Sequence, residues 1–128
     1  MATKKKMLQA AAGNAGGAGL DITEVFSTYL YAGGSSLTVS NGVNLLDEGG
    51  MVWLKNRTST ASHSIYDTER GAGQELVSDT TAAEVGQGGY GASFLDNGFK
   101  VSFAGDIITN QSGSDYASWT FREAPQFF

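Results

Sequence analysis

The chain has no cysteine, a single proline (Pro125) and a single histidine (His63) in 128 residues. Without cysteine there is no disulfide framework and no thiolate zinc site. A small secreted scaffold is therefore excluded, while a cytosolic or virion protein fits. One proline excludes a proline-rich linker or recognition segment. Charged residues make up only 16%, against the charge-rich, aromatic-poor composition of disordered chains. No apolar run approaches the ~18–20 residues of a membrane helix. Residues 7–12 follow a basic start but are too short and too weakly apolar for a signal-peptide core. The net charge is −5, so no overall field draws nucleic acid, and Lys4-Lys5-Lys6 is too short a cluster to reverse that.

What is abundant is glycine, 18 residues, together with 11% aromatics. That glycine content is about twice the usual ~7% and, with little proline, predicts many tight turns at positive φ. The length suits one domain with one core.

Residues 1–20 differ from the rest. Thr3-Lys4-Lys5-Lys6-Met7-Leu8-Gln9-Ala10-Ala11-Ala12 contains good helix formers, and Gly13 is a natural stop. A helix this short is marginal alone, and its lysines sit at the unfavourable positive end of the dipole. It is expected to order only against a partner. Gly13-Asn14-Ala15-Gly16-Gly17-Ala18-Gly19 reads as a flexible linker.

From Asp21 onward the pattern is strands and turns. Residues 22–31 fit a first strand, with a helical turn over 23–28 as the alternative. Leu37-Thr38-Val39 is a short strand stopped by Asn41-Gly42. Gly49-Gly50-Met51-Val52-Trp53-Leu54-Lys55-Asn56-Arg57 stands out: a turn, four apolar residues, a polar stop. It reads as a central strand buried on both faces. His63-Ser64-Ile65-Tyr66-Asp67 is a further strand, and residues 79–84 resemble a capped helical turn. Asp96-Asn97-Gly98 joins a hairpin that places Phe99, Val101 and Phe103 on one face. Residues 116–121 form the last strand, with Ala117, Trp119 and Phe121 on one face. About eight short strands without long helices predict a mostly β, antiparallel β-sandwich or jelly-roll-like domain over 21–128, preceded by the arm and linker of 1–20.

No residue set defines an active site. His63 has no nucleophile elbow beside it and reads as a strand residue. Arg70 reads as an ion-pair partner of Asp67 or Glu69. The acids at Asp47, Glu48, Asp96, Asp106 and Asp115 lie in separate turns, unlike a calcium loop. The glycine-dense loop of residues 86–91 lacks the Lys-Ser/Thr ending of a phosphate cradle. Trp53 and Trp119 read as core residues in preference to sugar platforms. No enzyme, cofactor or metal is expected.

Several segments in order carry a resemblance: Ala2-Thr3-Lys4-Lys5-Lys6-Met7-Leu8-Gln9-Ala10-Ala11-Ala12-Gly13, Val25-Phe26-Ser27-Thr28-Tyr29-Leu30-Tyr31, Asn41-Gly42-Val43, the stretch 49–57, Tyr66-Asp67-Thr68-Glu69-Arg70-Gly71-Ala72, Phe94-Leu95-Asp96-Asn97-Gly98-Phe99 and Tyr116-Ala117-Ser118-Trp119-Thr120-Phe121-Arg122-Glu123-Ala124-Pro125. Together they resemble the N-terminal region of tail fibre-like structural proteins of marine bacteriophages and cyanophages. The resemblance implies a virion location and a homotrimer that continues beyond Phe128. It also implies attachment of the fibre to tail adaptor or nozzle proteins, for which Lys4, Lys5, Lys6, Met7 and Leu8 are the candidate contacts. Two alternatives stand beside it. One is a carbohydrate-binding module gripping host glycan through Trp53, Tyr66, Tyr90 or Trp119. The other is a capsid decoration or head fibre protein.

Overall fold

The computed structural model describes residues 19–87, 91–102 and 106–127. The residues expected to anchor the chain, Lys4 to Leu8, and also Tyr90 and Phe103, lie outside that set. The described chain runs α1 (Ile22–Val25), β1 (Phe26–Ala32), β2 (Leu37–Ser40), α2 (Leu45–Glu48), β3 (Gly50–Asn56), β4 (His63–Asp67), β5 (Gln74–Val77), β6 (Val85–Gly86), β7 (Ala92–Leu95), β8 (Gly98–Val101) and β9 (Asp115–Arg122). The pairings are antiparallel and form two sheets. The larger has six strands in the order β1-β9-β3-β4-β5-β6, and the smaller has three in the order β2-β8-β7.

The two sheets enclose one core. Tyr31, Val52, Leu54, Tyr66 and Tyr116 enter from the large sheet, and Val39, Ala92, Phe99 and Val101 from the small one. Val43 and Leu45, from the segment between β2 and β3, close one side. Fully burying each Val, Leu or Phe contributes roughly 1.5–3 kcal/mol, an upper estimate for an extended unfolded chain. The arrangement is a small antiparallel sandwich, as the turn spacing predicts.

Local chemistry starts and stops the elements. Asp21 caps α1 through its side chain and Glu24 returns the favour to the Asp21 backbone, a capping box that fixes the domain's first turn. The helical alternative for the first strand is thus realised over four residues only, before β1 begins. Asn44 caps α2, a helix that the sequence pattern did not suggest. Asn56 ends β3 as its Oδ1 accepts from the backbone N–H groups of Thr58 (2.8 Å) and Ser59 (3.0 Å). Two glycines permit close strand approach at positive φ. A Cβ at Gly50 would stand 2.1 Å from the Phe121 carbonyl oxygen, and one at Gly98 would stand 1.9 Å from that of Val39.

Side-chain hydrogen bonds hold the β8–β9 connection. Tyr31 donates to the Thr109 carbonyl (2.6 Å), and Tyr116 donates to that of Ile107 (2.9 Å) while accepting from the Gln111 N–H (2.8 Å). The two rings stack with centroids 5.1 Å apart. Asp106 accepts from the Ile108 N–H and the Thr109 hydroxyl, and Asn110 bridges Gly34 and Ser35.

Two expectations are corrected. The capped helical turn over 79–84 does not form: the Asp79 carboxylate accepts from the His63 N–H instead of capping its own segment. And β3 is not buried on both faces. Its pattern alternates, with Val52 and Leu54 sealed inside and Met51, Trp53 and Lys55 half-buried on the opposite face.

Candidate binding face

The face of the large sheet turned away from the small sheet is unusually apolar. Register places its side chains in cross-strand rows. Thr28, Trp119, Trp53, Ile65 and Leu76 form the central row, crossing β1, β9, β3, β4 and β5. Phe26, Phe121, Met51 and Asp67 lie to one side of it, and Leu30, Ala117, Lys55 and His63 to the other. By contrast, β9 sends Tyr116, Ser118 and Thr120 into the interior, where all three are buried. Antiparallel sheets with one solvated face normally place their polar residues outward. Along β9 this order is inverted.

The inward polar groups are satisfied. Thr120 Oγ1 accepts from Asn41 Nδ2 at 3.0 Å, tying the end of β2 to the large sheet, and Ser118 donates to the Tyr29 carbonyl at 3.3 Å. Those bonds let polar side chains occupy the inside and leave the apolar ones outside.

Aromatic rings dominate the outer face. Trp53 and Trp119 pack with centroids 5.8 Å apart at 57°, and Phe26 and Phe121 at 5.1 Å and 46°. Such tilted pairs add ~0.5–1.5 kcal/mol beyond area burial. His63 completes the cluster 5.8 Å from Trp53, whose Nε1–H donates to His63 Nδ1 at 3.1 Å. Lys55 reaches back to the Ala61 carbonyl (2.5 Å). The Trp53 indole N–H and the Lys55 ammonium are thus tied to neighbours, and much of what this face offers a partner is apolar surface and ring faces.

Both tryptophans were expected in the core, and both lie on this face. The reason is parity: on β9 the outward positions are more apolar than the inward ones, so hydrophobicity assigns the wrong side. The signal that could have found the face is the partner strand. With Val52 and Leu54 inside, register fixes Trp53 and Trp119 outside together. Tyr66 is placed the other way. It is fully buried, with its ring against Gly91, and so is not presented as a surface ligand contact. Tyr66 and Tyr31 both have their hydroxyl pKa pushed well above the usual tyrosine value, chiefly by burial.

Elsewhere, Glu75 is buried and receives hydrogen bonds from Ser64 Oγ (2.5 Å) and from the Gln87 side-chain amide. Arg70 forms an ion pair with Asp67 and a looser one with Glu84 at 3.9 Å. An open hollow of about 400 Å³ is lined by Glu48, Glu123, Ala124 and Pro125, with Arg122 3.7 Å from Glu48. Among the described residues no group of three or more His, Asp or Glu is placed to hold a metal ion. His63 meets an indole and donates its backbone N–H to Asp79, whose carboxyl is held below its usual range mainly by that bond. No helix among the described residues is long and apolar enough to cross a membrane.

These features define a small antiparallel β-sandwich with an apolar, aromatic sheet face. More narrowly, residues 21–126 match the domain of unknown function DUF7483, and the chain belongs to that family. Comparison with curated proteins and with solved structures gave no match.

Proposed function

We propose that the chain is a structural protein of a phage virion, the virion-proximal part of a tail fibre, joined to the tail through its N-terminal segment. The observation that carries a structural role is the inverted polarity of the large sheet: Phe26, Met51, Trp53, Ile65, Trp119 and Phe121 form a face suited to burial against another protein chain. The virion assignment rests on the resemblance of the segments set out above. The attachment role is supported by a boundary. The family match starts at residue 21, beside the Asp21 capping box, and the segment before it carries Lys4, Lys5 and Lys6. In this reading Met7 and Leu8 supply apolar contact to a tail adaptor or nozzle protein, the lysines meet acidic patches, and the glycine-rich stretch absorbs symmetry mismatch.

The experiment is a deletion of residues 1–20 in the phage. The domain should still fold, and the fibre should be missing from purified particles. Normal incorporation would refute the anchor, and labelling on the head would move the protein to a decoration role.

A second reading is favoured by the Trp53–Trp119 pair: ring faces on an open sheet can stack on sugar. Glycan-array binding by the full chain that is lost in both Trp53→Ala and Trp119→Ala would establish it.

A further inference from the structure

Among the described residues, the β1 edge of the large sheet is unguarded. Natural edge strands are blunted by charge, proline, a bulge or brevity, because their unpaired N–H and C=O groups template further pairing. Strand β1 has none of these protections. It is Phe26-Ser27-Thr28-Tyr29-Leu30-Tyr31-Ala32, seven residues without charge or proline, in unbroken register with β9 from Phe26↔Phe121 to Ala32↔Asp115. It ends the strand order of its sheet. Thr28, Tyr29 and Leu30 are exposed in succession, Leu30 at 63%. Helix α1 packs on β1 and β9.

Alternation fixes which backbone groups point outward. The Gly33 N–H donates to the Ser114 carbonyl, continuing the β1–β9 register by one step, so odd-numbered residues of β1 face β9. The N–H and C=O of Thr28 and Leu30 therefore face away from the sheet. Of these, the Thr28 carbonyl receives a long 3.4 Å bond from its neighbour Ser27 Oγ.

We infer that β1 pairs antiparallel with β1 of a second copy of this chain. The strand is self-complementary in that direction. With Tyr29 opposite the partner's Tyr29, Thr28 faces the partner's Leu30 and Phe26 faces the partner's Ala32, so all seven residues pair and no charge meets another. The outward-turned groups of Thr28 and Leu30 then become ladder hydrogen bonds. Paired residues project to the same side of a sheet, so Phe26, Thr28 and Leu30 of both copies line up and the two apolar outer faces become one continuous surface. A proline or charge would have vetoed this, and the sequence places neither there. The pairing is isologous and closes at two copies, unlike the homotrimer implied by the resemblance. It does not depend on the virion reading.

The test is sedimentation and light scattering of the full chain, joined to amide hydrogen exchange. The mass should be twice the 13.4 kDa of one chain. The Thr28 and Leu30 amides should be protected in the associated protein and become at least tenfold faster to exchange on dilution, while Tyr29 and Tyr31 stay protected. Thr28→Pro removes an outward N–H and leaves the bonds to β9 in place, so it should give a folded monomer. A monomer at all concentrations, a trimer, a dimer whose Thr28 and Leu30 amides exchange freely, or a Thr28→Pro dimer would each overturn the proposal. The exchange measurement on the unaltered chain decides the matter if the proline variant does not fold.

Discussion

Alkaline pH should unfold this domain in one step, and the reason is its buried phenols, Tyr31 and Tyr66 above all, with Tyr116 raised in the same direction. Tyr31 is 7% exposed and Tyr66 fully buried, and burial raises both hydroxyls well above 10.0. In the unfolded chain both ionise near pH ~10. A group whose folded pKa is raised contributes stability that is full below its unfolded value and lost as pH rises towards the folded one. Above about pH 10 the unfolded state binds fewer protons, so stability falls by ~1.4 kcal/mol per pH unit for each tyrosine. Between about pH 10 and 12 the pair removes roughly 5 kcal/mol, which reaches the lower end of the ~5–15 kcal/mol of a typical domain. Tyrosinate absorbance followed with far-ultraviolet circular dichroism checks this: the ionisation of these two residues should coincide with loss of strand signal. Tyr31→Phe should reduce the slope on the alkaline limb by up to ~1.4 kcal/mol per pH unit, at a cost of ~0.5–1.5 kcal/mol near neutrality for the lost bond to the Thr109 carbonyl. Smooth ionisation of Tyr31 and Tyr66 near pH 10 with intact dichroism would refute the reasoning.

Four further outcomes follow from the same geometry. Gly98→Ala forces a Cβ to 1.9 Å from the Val39 oxygen, so it should part β2 from β8 and cost on the order of 3 kcal/mol in a denaturant titration. Leu54→Ala, in the sealed interior, should cost ~2–5 kcal/mol in the same assay. A double-mutant cycle of Trp53→Ala and Trp119→Ala should return a coupling of ~0.5–1.5 kcal/mol, since the rings touch only on the outer face. On the acid side, the stability from Asp79 is present above the unfolded carboxylate value and lost as pH falls through its lowered folded value, so Asp79→Asn should flatten the acid limb of melting temperature against pH.

Most of the strands could be read from the chain because turn chemistry marks their ends. Gly49-Gly50 and Asn56 bracket β3, and Asp96-Asn97-Gly98 makes the β7–β8 hairpin. What could not be read was the facing of the large sheet. Ala117, Trp119 and Phe121 are the apolar set of β9, yet Tyr116, Ser118 and Thr120 go inside because Asn41 and backbone carbonyls satisfy them there. Periodicity detects an alternation but not its direction when both sets can be buried. The same limit hid the tryptophan cluster and overstated the burial of β3. Tyr66 misled in the opposite sense, because its interior place depends on Gly91, 25 residues away in the chain.

The pairing of β1 with β9 has a mechanical consequence. Phe26, the first residue of β1, lies directly opposite Phe121, near the end of β9. Their Cα atoms are therefore only ~5 Å apart, and the start of β1 and the end of β9 lie at one pole. A pull applied through the two ends would act across the ladder and open it bond by bond like a zip, without loading the rows in parallel as shear would.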